Sequence, residues 1–420
     1  MNRSLRGDRY TAHTGILQLM DDLGKALSGS QKKYMLGGGN PAIIPEAAAL
    51  WRRRMREILA NGDQFDRVVG MYDTPQGRPS FLRALAARLH EEFGWPVTER
   101  NIAVTNGSQS AFFLLFTLFA GDYADGSHRK MLFPLLPEYI GYRDQPQDTR
   151  DFVAIRPVIE QIDPHTHKYH IDFDNLTITD DTAAICVSRP TNPSGNVLTD
   201  EEINRLNALA REHDIPLIVD NAYGVPFPDI IFRPVTPLWN DNIVFSMSLS
   251  KIGLPSLRTG IVVAAPETVE ALTAMNAVFS LANGSVGQAL AEELLASGEL
   301  LDLSRDVVRP YYQAKSERAV AAVHEHFGAR FPYSVHQSEG SLFLWIWFKE
   351  LPGTTRELYN RLKERDVIVV PGEYFFFGND EPWEHRDRCI RINYAMETDD
   401  VETGIRIIAE ETEKMWRERA

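Results

Sequence analysis

Leu217-Ile218-Val219-Asp220-Asn221-Ala222-Tyr223 and, further along, Ile243-Val244-Phe245-Ser246-Met247-Ser248-Leu249-Ser250-Lys251 follow one plan: a short apolar, β-branched run that stops abruptly at polar residues. Runs this short and continuous suit strands covered on both faces. The plan recurs at Ile102-Ala103-Val104, Met131-Leu132-Phe133, Ala184-Ile185-Cys186-Val187 and Gly260-Ile261-Val262-Val263, with turns and helical stretches between. Strands alternating with helical crossovers imply an α/β domain on a mainly parallel sheet. The polar residues that close the runs are Thr105-Asn106-Gly107-Ser108, Pro137-Glu138-Tyr139, Ser188 to Asn192, Asp220 and Ser248. Ligands of open α/β sheets sit outside the carboxyl ends of strands, so one sheet edge gathers the candidate chemistry.

After about residue 300 the plan loosens. An apolar strand at Gly340 to Ile346, an alternating one at Cys389 to Tyr394 and an amphipathic helix from about Asp400 read as a smaller α+β domain. The expected division is a large domain over 46–300 and a small one over 301–420. Residues 1–45 join the small one through Gly37-Gly38-Gly39.

The chain has 420 residues, 44% of them hydrophobic and 24% charged, which excludes a mostly disordered protein. Its 44 basic and 58 acidic side chains leave a net charge of −14, a field that repels nucleic acid and anionic membranes. Cys186 and Cys389 are too few for a disulfide scaffold or a multi-cysteine zinc site. Arg3, Arg6, Asp8 and Arg9 precede no apolar core, and Ala111 to Gly121 is too short to span a bilayer. A cytoplasmic, soluble protein is expected.

Lys251 directly follows a buried strand. An amine in a desolvated pocket with cationic neighbours has a lowered pKa and can join an aldehyde, although a surface lysine past a strand end reads the same way. Asp220, closing a strand, needs a cation or a protonated ring nitrogen, or else caps a helix. Tyr223 either donates its phenol to a ring oxygen or packs. Gly107-Ser108-Gln109 leads into an apolar helix whose free amides suit a phosphate, without the Gly-Lys-Ser/Thr of a Walker loop. Arg258 and Ser248 are further phosphate donors. Tyr139 stacks on a ring or fills the core. Asn192, ahead of Pro193, is a turn residue or a ligand contact. Arg391, mid-strand, needs an anion from a neighbouring acid or from a substrate carboxylate. His165, His167 and His170 read as exposed imidazoles on a loop, with no metal site completed. Tyr374-Phe375-Phe376-Phe377 reads as lobe packing or interface, and Cys186 as inert filling.

Taken in order, these signals resemble the fold-type I pyridoxal-phosphate aminotransferases along nearly the whole chain. They are the glycine turn, Tyr72 before Pro75 and Gly77, Gly107 to Gln109, Pro137 to Tyr142, Asn192 to Gly195, Asp220 to Tyr223, Ser248 to Lys251, Arg258 and Arg391. Gly37 to Pro41 and His13-Thr14-Gly15-Ile16 strengthen it. The resemblance implies a seven-stranded, mainly parallel sheet in the large domain and pyridoxal 5'-phosphate as cofactor. It implies that Lys251 holds the cofactor and moves the substrate proton, that Asp220 pairs with the pyridinium, and that Asn192 and Tyr223 flank the ring oxygen. Tyr139 then stacks on the ring. Ser108, Gln109, Ser248 and Arg258 hold the phosphate, helped by Tyr72 from a second subunit of a homodimer. Arg391 binds the substrate carboxylate beside Gly39 and Asn192. The implied reaction moves an amino group between an apolar, valine-like L-amino acid and a 2-oxo acid, turning pyruvate into alanine. A carbon–sulfur lyase or a decarboxylase on the same scaffold is the alternative. A non-catalytic ligand sensor is the third reading, disfavoured by the acidic charge.

Overall fold

The computed structural model describes residues 2–11, 17, 21, 24 and 32–419; the His13 to Ile16 run lies outside the described residues. Each of the six apolar runs forms a strand of one central sheet. Its order is Ile102–Asn106, Thr259–Val263, Ile243–Ser248, Leu217–Asp220, Thr182–Ser188, His128–Phe133 and Gly121–Asp122, with Phe152–Ala154 also paired to His128–Phe133. The sheet therefore has eight strands rather than seven, because Gly121–Asp122 and Phe152–Ala154 are too short to stand out as runs. Thr259–Val263 is antiparallel to both its neighbours and Gly121–Asp122 to its one; the remaining strands point the same way. Their carboxyl ends share one edge. Ser246, Asp220 and Ser188 lie in register across three of them.

Thr182–Ser188, Ile243–Ser248 and Thr259–Val263 are buried along their whole length, as strands covered on both faces must be. A helix that covers this sheet, Asp200–Glu212, and one in the C-terminal part, Thr355–Glu364, carry local start signals. Thr199 and Thr354 each form a capping box, their hydroxyls accepting from Glu202 N–H and Glu357 N–H while those glutamates reach back.

A second sheet runs Val370–Pro371, Cys389–Asn393, Phe343–Phe348, Tyr333–His336, Thr166–His170, Val158–Asp163. Its last two strands form a hairpin that comes from inside the 46–300 stretch. Tyr34–Met35 pairs in parallel with Val367–Ile368, and Asn393 N–H donates to Leu36 O at 2.7 Å. The N-terminal arm thereby lays the Gly37 to Gly39 turn beside the strand that bears Arg391.

The three histidines correct an expectation. They lie on the hairpin, not on an exposed loop. His165 is half-buried and stacks on Tyr333 at 4.4 Å, while His170 sits between Glu160 and Glu202. His167 is fully buried, bonded to Ser334 Oγ at 2.9 Å, with the His336 and His385 rings 5.4 and 6.3 Å away. Pairing with Tyr333–His336 turns His167 and Tyr169 inward, which local sequence could not show.

Burial drives His336 and His385 down to about 3 and His167 well below its usual range. Each binds its proton only on unfolding, so its contribution to stability is complete above about pH 6.5 and is lost as pH falls towards 3. His336 and His385 should each lower the unfolding free energy by about 2 kcal/mol between pH 7 and 5, with His167 acting in the same direction and His170, whose bond to Glu202 raises its pKa, opposing them. Urea midpoints at the two pH values check this; equal midpoints would contradict three buried neutral rings.

Candidate active site

Lys251 occupies the turn after Ile243–Ser248, where Ser248 Oγ accepts the Ser250 N–H at 3.0 Å. Its Nζ donates to Gly39 O at 2.7 Å and stands 5.4 Å from the centre of the Tyr223 ring. Desolvation, with the positive charges of Arg391 and Arg258, lowers the amine to about 8, while Asp220 works the other way. An amine so tuned is nucleophilic near neutral pH.

Asp220 ends Leu217–Asp220. Its Oδ2 accepts from the Tyr142 hydroxyl and its Oδ1 from Ala222 N–H at 3.0 Å. Burial pushes the acid up to about 6, with those hydrogen bonds and Lys251 pulling it back. Among the described residues no cation pairs with it within 4 Å, so its negative charge awaits a positive partner. Tyr223 is buried, and burial raises its phenol; Asn192 faces it.

The phosphate candidates converge on the start of the helix Ser108–Phe119. Gly107 has φ +86°, and a Cβ there would lie 2.2 Å from Arg258 Nη2; a Cβ on Gly260 would lie 2.5 Å from Ser108 N. Glycine is required at both because the arginine head and the helix amides come so close. Arg258 itself holds a left-handed φ of +49° and, among the described residues, bonds Pro255 O alone, at 3.3 Å. Ser108 Oγ donates to Met247 O at 3.2 Å, and Gln109 Nε2 to Gly141 O at 3.0 Å. Tyr139 lies against Gly141, where a Cβ would meet the ring at 2.3 Å, and edge-on to Tyr142.

Arg391 is 2% exposed. Its Nη1 donates to Asn192 Oδ1 and its Nη2 to Gly37 O, both at 2.7 Å, and the guanidinium lies 4.0 Å from the Phe343 ring and 5.2 Å from the Phe375 ring. Nε is enclosed and has no partner. Burial lowers its pKa to about 10. A buried guanidinium held only by neutral oxygens retains its affinity for a carboxylate. Phe375 and Phe376 pack against Trp345, Phe377 packs against Phe133 and Phe152 of the central sheet, Tyr374 lies under Arg356, and Cys186 is buried within its strand.

One chain thus brings together Lys251, Asp220, Tyr223, Asn192, Tyr139, Ser108, Gln109, Ser248, Arg258, Arg391 and Gly39. Tyr72 stands apart, 83% exposed. Three groups join the site that sequence reasoning had given no role: Tyr142, which holds Asp220; Glu138; and Asn393, whose Nδ2 donates to Gly38 O at 2.8 Å and pins the glycine turn. Tyr142 was within reach, since it belongs to the same turn as Tyr139.

The donor set fits pyridoxal phosphate. The enclosed amine suits its aldehyde, the unpaired carboxylate its ring nitrogen, and the helix start with Arg258 its phosphate. Arg391 remains for a substrate.

The profile of the family Aminotransferase class I and II matches residues 142–408. Valine–pyruvate aminotransferase of Escherichia coli (strain K12) is 49% identical over 418 residues, covering 100% of each chain. The crystal structure of valine-pyruvate aminotransferase from Salmonella typhimurium LT2 superposes with a TM-score of 0.88 at 48% identity, covering 96% of this chain and 100% of that one. A kynurenine aminotransferase from Pyrococcus horikoshii, solved in complex with PMP, shares the fold at a TM-score of 0.76 and 18% identity, covering 96% and 95%.

Proposed function

The chain belongs to the class I and II aminotransferases, and from that premise we propose that it moves an amino group between a valine-like L-amino acid and pyruvate with pyridoxal phosphate as cofactor. The observation that carries this reading is one sheet edge holding an amine and, among the described residues, a carboxylate without a paired cation and two guanidinium groups without a paired acid. Bound there, pyridoxal phosphate supplies an aldehyde for amines and a protonated ring that withdraws electrons from the substrate α-carbon.

The protein's residues do the rest. Lys251 anchors the cofactor and, once displaced by substrate, moves the proton at the α-carbon as a base whose pKa suits neutral pH. Asp220 keeps the ring nitrogen protonated. Asn192 and Tyr223 would hold the ring oxygen, Tyr139 would stack on the ring, and Ser108, Gln109, Ser248 and Arg258 would hold the phosphate. Arg391 takes the substrate carboxylate, with Asn192 and Gly39 alongside. Phe343 and Phe375 surround that arginine with apolar surface, which suits a small apolar side chain. Pockets of this kind separate substrates by only about 1–3 kcal/mol per methylene, so neighbouring amino acids should react too.

The reading includes a homodimer. Ile43, Val69, Met71, Tyr72, Val278, Phe279 and Leu281 are large, apolar and exposed in the single chain. Asn276 and Asn283 both donate to Pro75 O and so tie the Tyr72 loop to the 278–281 segment. Covering this surface with a second copy would let Tyr72 reach the partner's phosphate site. Both cysteines are unpaired, in keeping with a reducing cytoplasmic setting, and no helix among the described residues is long and apolar enough to cross a membrane.

A panel of amino donors and 2-oxo acids tests the reaction. Alanine formed one-for-one from pyruvate is the expected outcome; release of ammonia or carbon dioxide instead would place the chain among lyases or decarboxylases. Arg391→Ala should remove a charge-assisted carboxylate contact of about 3 kcal/mol, roughly a hundredfold in kcat/KM carried mainly by the donor's KM. An unchanged KM in steady-state assays would move the carboxylate site elsewhere.

A further inference from the structure

One buried acid beside the site has no part in these assignments. Glu138 is 1% exposed and directly precedes Tyr139. Its Oε1 accepts the Ser188 N–H at 2.9 Å, while its Oε2 accepts the Tyr139 N–H at 3.1 Å and lies 2.7 Å from Ser188 Oγ. Its own N–H donates to Phe375 O at 3.0 Å, and the Phe375 ring underlies Arg391. Ser188 is the register partner of Asp220 on the adjacent strand. One side chain therefore joins the turn that bears Tyr139, the strand end next to Asp220 and the aromatic floor of Arg391.

No lysine or arginine among the described residues pairs with Glu138. Glu138 and Asp220 both meet Ser188, one by hydrogen bond and the other in strand register, and the charge of Asp220 adds to burial in disfavouring a charge on Glu138. Asp220 faces Lys251 and the place of the ring nitrogen, so Asp220 is the one that can carry charge. We propose that Glu138 is a positioning residue for the reaction above: as a neutral carboxylic acid it pins Tyr139 and Ser188 around Asp220, leaving Asp220 the sole negative charge behind the cofactor ring. The inference rests on the aminotransferase reading of the site.

In this state the Glu138 hydroxyl donates to Ser188 Oγ while its carboxyl oxygens accept the two backbone N–H groups. The titratable groups that face it are Asp220 and Cys186 on neighbouring strands and Tyr142 on its own turn. Burial, reinforced by the charge of Asp220, raises Glu138 to about 8, so the neutral form prevails at neutral pH and ionises on the alkaline side.

The test compares wild type, E138A, E138Q and S188A, all loaded with pyridoxal phosphate. E138A should lose about tenfold or more in kcat with the donor KM within about threefold, and E138Q, which is neutral and keeps the Ser188 contacts but cannot accept the Tyr139 N–H as well, should recover part of that loss. Above pH 8 or so, the wild-type kcat should decline as Glu138 ionises, and the E138Q profile should lack that decline. S188A should move the midpoint of the decline by about half a unit or more. A wild-type kcat in E138A, or an E138Q profile that keeps the alkaline decline, overturns the assignment. Should E138A fail to fold, the E138Q and S188A profiles decide. Wild-type protein that takes up no pyridoxal phosphate is a different result, and it overturns the aminotransferase reading itself.

Discussion

Lys251→Ala should reduce turnover by at least about 10⁴-fold, because one substitution removes both the covalent anchor and the base for the substrate proton. The fold should persist. Among the described residues Lys251 Nζ makes one hydrogen bond, to Gly39 O, and its place among Arg391 and Arg258 is a strain rather than a support. Borohydride treatment with pyridoxal phosphate should add the coenzyme mass irreversibly to the Lys251 peptide of wild type, and mass spectrometry should find no adduct in the corresponding peptide of the variant. A small amine added to Lys251→Ala should restore part of the proton transfer, since the cavity left between Tyr223 and Gly39 admits one. Activity within tenfold of wild type, without added amine, would end the anchoring role.

Asp220→Asn should move activity and stability in opposite directions. Asparagine keeps the shape, with its Oδ1 still accepting from Ala222 N–H and its Nδ2 turned donor towards the Tyr142 hydroxyl oxygen, but it cannot hold a ring nitrogen protonated. A loss of about 10²–10³-fold in kcat is expected. In the coenzyme-free protein the balance reverses. The folded acid sits near 6 against an unfolded value near 4, so ionisation opposes folding as pH rises through that window. At pH 7 coenzyme-free Asp220→Asn should be more stable than wild type by up to about 3 kcal/mol, and the difference should vanish near pH 4. Thermal unfolding at both pH values tests this. A variant that is less stable at pH 7 would show that the carboxylate already has a cation.

The strand ends were readable because each buried strand is an unbroken apolar run, and the polar residue that stops it marks the ligand-facing edge. Ser188, Asp220 and Ser248 stand where that grammar put them. Other groups were hidden for particular physical reasons. Glu138 is a charged residue beside a tyrosine, which by composition reads as solvent-facing; only the Ser188 and Tyr139 N–H groups that meet it explain its burial. His167 belongs to a hairpin whose outer strand, Val158–Asp163, is mostly exposed and polar, so no apolar alternation announced it. Its neighbours His336 and His385 are far away in sequence. The eighth strand escaped notice because two or three residues carry no periodicity. Tyr72 was readable only as part of an ordered motif, since among the described residues it stands 83% exposed.

The hairpin Val158–His170 has one more consequence. It leaves the first sheet's stretch of chain, completes the second sheet at Tyr333–His336, and returns. A gene split at residue 300 would therefore deprive the C-terminal fragment of two strands and leave Tyr333–His336 with raw, unbonded backbone along one side. Such a fragment should precipitate when expressed alone and become soluble when the residue 1–300 half is co-produced. The two lobes are folding partners stitched by a borrowed ribbon, so neither is a module that engineering can swap whole.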